Sequence, residues 1–127
     1  MTLRTQEDAL FGPVVSFGLG GAVPELLDDR AYQVPPMSDE DAARLIREPQ
    51  SASLLFGYGG RQRTDVAALE DLVVRLGRIS DELPQVSQLE LNPVIVGVRG
   101  LAVLSASAWL RTPEARSDSE ARRLTSL

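Results

Sequence analysis

Short apolar runs alternate with glycine- and proline-rich breaks along the chain, and the hydrophobic period changes partway. Residues 1–10 read as a polar lead. An apolar run opens at Leu10-Phe11-Gly12-Pro13, and Val14-Val15-Ser16-Phe17 predicts a strand that stops at Gly18-Leu19-Gly20-Gly21. Ala22 to Leu27 predicts a second strand, placed at an edge or bulge by Pro24, and Arg30 to Val34 a third, ended by Pro35-Pro36. Ser38 with Asp41, flanked by Met37 and Ala42 at staple spacing, predicts a helix start. Ala42, Leu45 and Ile46 share that helix's face and Pro49 ends it. Thr64 caps the longest predicted helix, whose Leu69, Leu72, Val73, Leu76, Ile79 and Leu83 recur at helical spacing as far as Pro84. The period then becomes that of a strand. Val86 to Val96 and Leu101 to Ala108 read as two strands joined by a hairpin loop, Gly97-Val98-Arg99-Gly100.

The predicted order is three strands, two helices and two strands, with no room for repeated β-α-β crossovers. The economical packing is an α+β fold: a mixed, mostly antiparallel sheet of four to five strands with two helices on one face. Residues 1–110 form this domain, and 111–127 a polar tail, disordered or a short helix capped by Ser117 or Ser119. The sheet face away from the helices is the place for a ligand or another domain.

Composition narrows the chemistry. The 127 residues suit one domain and contain neither cysteine nor histidine. Disulfides, thiol catalysis, histidine bases, a phosphohistidine of the chain's own and thiolate or imidazole zinc sites are excluded. All 13 basic residues are arginines, so there is no Schiff-base or P-loop lysine. With 18 acidic residues the net charge is -5, which argues against a nucleic-acid partner. No leader pattern and no long apolar span is present, so no membrane partner is expected and the cytoplasm is the expected compartment.

Strict alternation in Leu89-Glu90-Leu91-Asn92 puts the leucines on one face and Glu90 with Asn92 on the other. A carboxylate and an amide oxygen are hard donors suited to Mg²⁺, although a wet strand face also carries such residues without function. The Gly18, Gly20 and Gly21 cluster can cradle phosphate oxygens or simply turn the chain. Glu25 follows it as a site residue or as plain surface. Arg61, after Gly57-Tyr58-Gly59-Gly60, can pair with phosphate or lie in a solvated loop.

Several ordered motifs share one resemblance. They are Phe11-Gly-Pro-Val-Val-Ser-Phe-Gly-Leu-Gly-Gly21, Glu25-Leu-Leu-Asp-Asp-Arg-Ala-Tyr32, Pro35-Pro36-Met37-Ser38-Asp39, Leu54-Leu-Phe-Gly-Tyr58 and Glu90-Leu91-Asn92-Pro93. Together they resemble the C-terminal half of the ATP-grasp domain of NDP-forming (ADP-forming) acyl-CoA synthetases, a module also fused to bacterial protein lysine acetyltransferases. The likeness runs from about residue 6 to residue 110. It implies enzymes that interconvert acyl-CoA, ADP and phosphate with acid, CoA and ATP, using Mg²⁺ and a phosphohistidine on a separate domain. It also implies that the glycine loop borders the nucleotide phosphates with Glu25 beside them, and that Asn92 is a Mg²⁺ ligand.

The metal's other ligand in the family is an aspartate in a Leu-Asp-Ala-Arg or Leu-Asp-Ala-Lys pattern on the next strand. Here Leu104-Ser105-Ala106-Ser107 replaces both the aspartate and the basic residue. Gln33 and Gly59 stand where the family carries arginine. With Val98 and Arg99 central in the hairpin, Asn92 faces Ser105; a three-residue loop would instead shift its partner to Ala106. The first half of an ATP-grasp domain and the CoA-binding domain are expected from partners. These readings lead to the expectation of a catalytically silent docking or degenerate module, with no cofactor for the isolated chain. A homodimer covering the open sheet face is also expected. The alternatives are a subunit of a split acyl-CoA synthetase and a nucleotide-sensing module.

Overall fold

A computed structural model describes residues 1–8, 10–19, 29–60 and 62–112. The expected strand over 22–27, Gly20, Gly21, Glu25, Arg61 and most of the expected tail lie outside the described residues. The strands are β1 (Thr2–Asp8), β2 (Gly12–Gly18), β3 (Arg30–Gln33), β4 (Val86–Leu91), β5 (Val94–Val96), β6 (Leu101–Val103) and β7 (Ala106–Leu110). The helices are α1 (Asp39–Leu45) and α2 (Val66–Glu82), with 3₁₀ segments at Gln50–Phe56 and Tyr58–Gly60 between them. A five-stranded sheet runs in the order β3-β2-β1-β4-β7, and β5 and β6 make a separate two-stranded sheet. Every described pairing is antiparallel. The expected α+β fold is present.

The polar lead is corrected by this topology: Thr2–Asp8 is the central strand of the sheet. Its two faces meet different surroundings. Leu3 and Thr5 are buried on the helix side, whereas Thr2, Arg4, Gln6 and Asp8 belong to the other face. With a single leucine on the covered face, the segment carries too few apolar residues to register as a strand by composition. Register supplies what composition lacks. Leu3 stands between Phe17 of β2 and Leu91 of β4, and α2 packs across β1, β2 and β4. Val15, Phe17, Leu3 and Leu91 meet Leu69, Val73 and Leu76 of α2 and Ala42, Leu45 and Ile46 around α1 in one core. Each fully buried leucine or phenylalanine contributes about 1.5–3 kcal/mol of transfer free energy.

Ser38 caps α1 as expected. Its Oγ accepts the Asp41 N–H at 3.1 Å, and the Asp41 carboxylate accepts the Ser38 N–H at 3.0 Å. In α2 the cap shifts by one residue, because the Thr64 hydroxyl and N–H both donate to Leu55 O. Asp65 caps instead, accepting the Ala68 N–H at 3.1 Å. Ile79 and Leu83, expected on the buried stripe, are 37% and 39% exposed, because the buried face of α2 runs through Leu69, Val73, Leu76 and Ser80 instead. No helix among the described residues is long and apolar enough to cross a membrane.

The two long strands expected at the C-terminal end are each divided. Pro93 has no N–H to continue the ladder, so the chain leaves the main sheet at Asn92 and rejoins it at Ala106. Register is nevertheless continuous through the break: Leu91 pairs with Ala106, the Asn92 N–H donates to Ser105 O at 3.1 Å, and Val94 pairs with Val103. The turn closes with the Gly97 N–H donating to Gly100 O at 3.0 Å, leaving Val98 and Arg99 central. Gly100 supplies a φ of 77°.

Asp65 ties this outlying hairpin to α2. Its second carboxylate oxygen accepts the Gly100 N–H at 2.6 Å, and its own N–H donates to Gly97 O at 2.7 Å. The Gly100 and Ala68 N–H groups hold the Asp65 carboxyl below its ordinary value of 3.8. The Ser38 N–H, followed by the Ser38 side chain and Arg44, does the same for Asp41. Between the folded and ordinary values the unfolded chain binds more protons, so stability rises with pH there. The contribution is complete above the ordinary value of 3.8 and drains as the pH falls below it. In thermal melts from pH 6 down to about pH 2, Asp65→Asn is expected to flatten the acid limb relative to the parent chain.

Candidate functional site

The register lines up side chains across the helix-free face. At one end of the sheet Arg30, Gly18 and Thr2 are successive cross-strand partners. Asn92 follows Thr2, because Leu3 pairs with Leu91 one step earlier, and Ser105 follows Asn92. The Thr2 hydroxyl donates to Asn92 Oδ1 at 3.1 Å. Asn92 and Ser105 are exposed, while Thr2 and Gly18 are buried. This is the row in which the hairpin register places Asn92 opposite Ser105, as the pairing with Val98 and Arg99 central requires.

The next row on the same face is Tyr32, Ser16, Arg4, Glu90 and Ser107. Arg4 and Glu90 are direct neighbours on β1 and β4, and their side chains form an ion pair at 2.7 Å. Both are only partly exposed, at 29% and 21%. The third row carries Val14, Gln6, Gln88 and Trp109. Beside it Asp8, Phe11, Val14, Tyr32, Gln33 and Val34 line a mostly apolar depression of about 290 Å³. The face thus grades from small and polar at the Gly18 end, through one ion pair, to apolar at the far end.

Gly18 has a steric reason to lack a side chain. A Cβ there would stand 2.8 Å from Asp29 O and 2.9 Å from Arg30 Cγ, so β2 and the returning chain approach more closely than any larger residue allows. Asp29 is itself anchored, since its carboxylate accepts the N–H groups of Gln50 at 2.7 Å and Ser51 at 3.0 Å. The strand entering the glycine cluster, the chain leaving it and the first 3₁₀ segment are therefore held together at the Asn92 end of the sheet.

Of the residues singled out from sequence, Gly18, Glu90, Asn92 and Ser105 come to one face and one end of the sheet. Gly20, Gly21, Glu25 and Arg61 lie outside the described residues. Sequence reasoning missed Thr2 and Arg4, because the segment that carries them read as a lead. The signal available was alternation, with Leu3 and Thr5 interleaved between Thr2, Arg4 and Gln6.

The model of an ATP-grasp domain family matches residues 1–110. The chain is 39% identical over 87 residues to the beta subunit of acetate–CoA ligase [ADP-forming] I of Pyrococcus furiosus, a match covering 68% of this chain and 38% of that one. It is 34% identical over 99 residues to acetate–CoA ligase [ADP-forming] I of Archaeoglobus fulgidus, covering 78% of this chain and 14% of that one. Its fold matches a dinucleotide-forming acetyl-coenzyme A synthetase 1 of Ca. Korarchaeum cryptofilum with a TM-score of 0.82 at 38% identity. That match covers 87% of this chain and 52% of the other, which was solved with coenzyme A and Mg-AMPPCP, its phosphohistidine segment pointing towards the nucleotide binding site. The chain thus spans about half of the solved relative and less of the two ligases. These matches correct the expectation of a silent docking or degenerate module: what the chain resembles are ADP-forming ligases, one of them named as a β subunit.

Proposed function

The chain belongs to the ATP-grasp domain family, and from that premise we propose that it works as part of the catalytic β-type subunit of a split ADP-forming acyl-CoA synthetase. In this reading it forms one wall of the nucleotide-phosphate cleft. The reaction of the whole assembly converts acyl-CoA, ADP and phosphate to acid, CoA and ATP. Its complementary parts are a first ATP-grasp half and a CoA-binding subunit carrying the phosphohistidine, since this chain has no histidine. The observation that carries the proposal is the row joining Gly18, Thr2, Asn92 and Ser105 on the helix-free face.

The residues fit a Mg²⁺ ion that arrives on the nucleotide. Asn92 Oδ1 has two lone pairs, one of which accepts the Thr2 hydroxyl and leaves the other for a cation. Thr2 thereby orients the amide. Glu90 adds a carboxylate on the same face. Among the described residues no cluster of three or more acidic side chains gathers to hold a metal, so a Mg²⁺ ion held by Asn92 and Glu90 would need further oxygen donors from the nucleotide and water. When bound, Mg²⁺ supplies charge neutralisation of the phosphates. The chain's own contribution is positional: Gly18 admits the close backbone crossing at the loop base, Asn92 fixes the cation end, and the helix side excludes water behind the sheet.

The experiment is reconstitution. This chain, mixed with its complementary subunits, is assayed for acyl-CoA-dependent ATP formation. Asn92→Ala is expected to lower the rate by about a hundredfold or more while leaving the melting temperature nearly unchanged. Absence of ATP formation in the assembled mixture, with no calorimetric binding of Mg-ADP, would overturn the proposal.

A further inference from the structure

The Arg4–Glu90 pair sits one row from Asn92, where a dication would need negative charge. Glu90 has two cross-strand neighbours on this face, Arg4 on β1 and Ser107 on β7. Ser107 is neutral, so Arg4 is the cationic neighbour, and one of its N–H groups reaches Glu90 Oε1 at 2.7 Å. The Arg4 Nε is buried without an acceptor among the described residues, so the guanidinium retains donor capacity that Glu90 does not meet. Beyond the pair, the Asn92 row offers an amide oxygen and the uncharged hydroxyls of Thr2 and Ser105, and its cation, Arg30 on β3, is three strands from Asn92.

From this arrangement we infer that Arg4 is a charge-setting residue: it cancels Glu90 in the ligand-free chain, so that the site takes a divalent cation only together with a polyphosphate. The inference rests on the nucleotide reading above and adds an order of binding to it. Mg²⁺ gives up its water reluctantly and is held by carboxylates and phosphates. A neutral amide beside a carboxylate already paired to a guanidinium does not replace that hydration. A di- or triphosphate brings its own negative charge, and its oxygens compete with Glu90 for the Arg4 fork. Once the guanidinium turns to phosphate, Glu90 is released toward the cation. No bond is made or broken; two ion pairs are exchanged.

The test uses the full chain with Mn²⁺ as probe, read by electron paramagnetic resonance, and Mg-ADP binding read by calorimetry. The unsubstituted chain is expected to bind no Mn²⁺ below about 1 mM without nucleotide. Arg4→Gln is expected to bind free Mn²⁺ at least about tenfold more tightly, Arg4→Lys to behave as the parent, and Arg4→Gln with Glu90→Gln to lose the gain. Tight Mn²⁺ binding by the parent chain without nucleotide overturns the inference and needs no variant to fold. So does a folded Arg4→Gln chain, or Arg4→Met where that one folds, that gains nothing, or a gain that survives removal of Glu90. Failure of Mg-ADP to bind either parent or variants strikes instead at the nucleotide reading, whatever the Mn²⁺ result.

Discussion

Ser105→Asp is expected to tighten the binding of Mg-ADP by about one to two orders of magnitude. Ser105 lies directly opposite Asn92, with the Asn92 N–H donating to Ser105 O at 3.1 Å. An aspartate there would put a carboxylate beside the amide oxygen that Thr2 orients. A unit charge about 4 Å from a single opposite charge is worth about 1 kcal/mol even in water, and a dication doubles that. Because position 105 is exposed, the carboxylate costs little in the empty chain. Calorimetry with Mg-ADP, and with ADP alone, separates the metal-dependent gain from any change in nucleotide contact. An unchanged affinity in a folded variant would mean that the cation end of the cleft does not lie at Asn92.

The second large effect concerns the fold. Leu3→Ala is expected to cost about 2–5 kcal/mol, because Leu3 is fully buried between Phe17 and Leu91 under α2. Domains of this kind have about 5–15 kcal/mol in total, so the variant should melt roughly 10–20 °C lower or fail to fold at ambient temperature. Chemical denaturation followed by circular dichroism measures it. Gln6→Ala, on the opposite face of the same strand, is the control and should change stability by less than about 1 kcal/mol. Equal effects at the two positions would contradict a central β1 with one covered face.

Local pattern sufficed where the interacting residues lie close together along the chain. The Ser38-Asp41 capping box, the apolar stripe of Leu69, Val73 and Leu76, and the Val98-Arg99 hairpin turn are interactions among residues near each other in the chain. While the structure decided between the two registers open to the hairpin, the first two appear where their spacing places them. The same holds for Glu90 and Asn92, whose common face follows from strand alternation. Thr64 shows the limit: a contact with Leu55, nine residues away, took Thr64 out of the expected capping role and left it to Asp65. Pro93 shows another, since alternation ran on across it while the missing N–H divided the ladder.

By itself the sequence determined the two helices, the α+β class and the motifs that resemble an ATP-grasp domain, because short-range spacing and residue type are sufficient for the elements. Only the tertiary structure decided that Thr2–Asp8 is the centre of the sheet, and that Gly18, Thr2 and Asn92 form one row with Arg4 against Glu90 in the next. A central strand with one covered face needs few apolar residues of its own. Its neighbours, some 90 positions away along the chain, supply the burial and the charge that give its side chains their meaning.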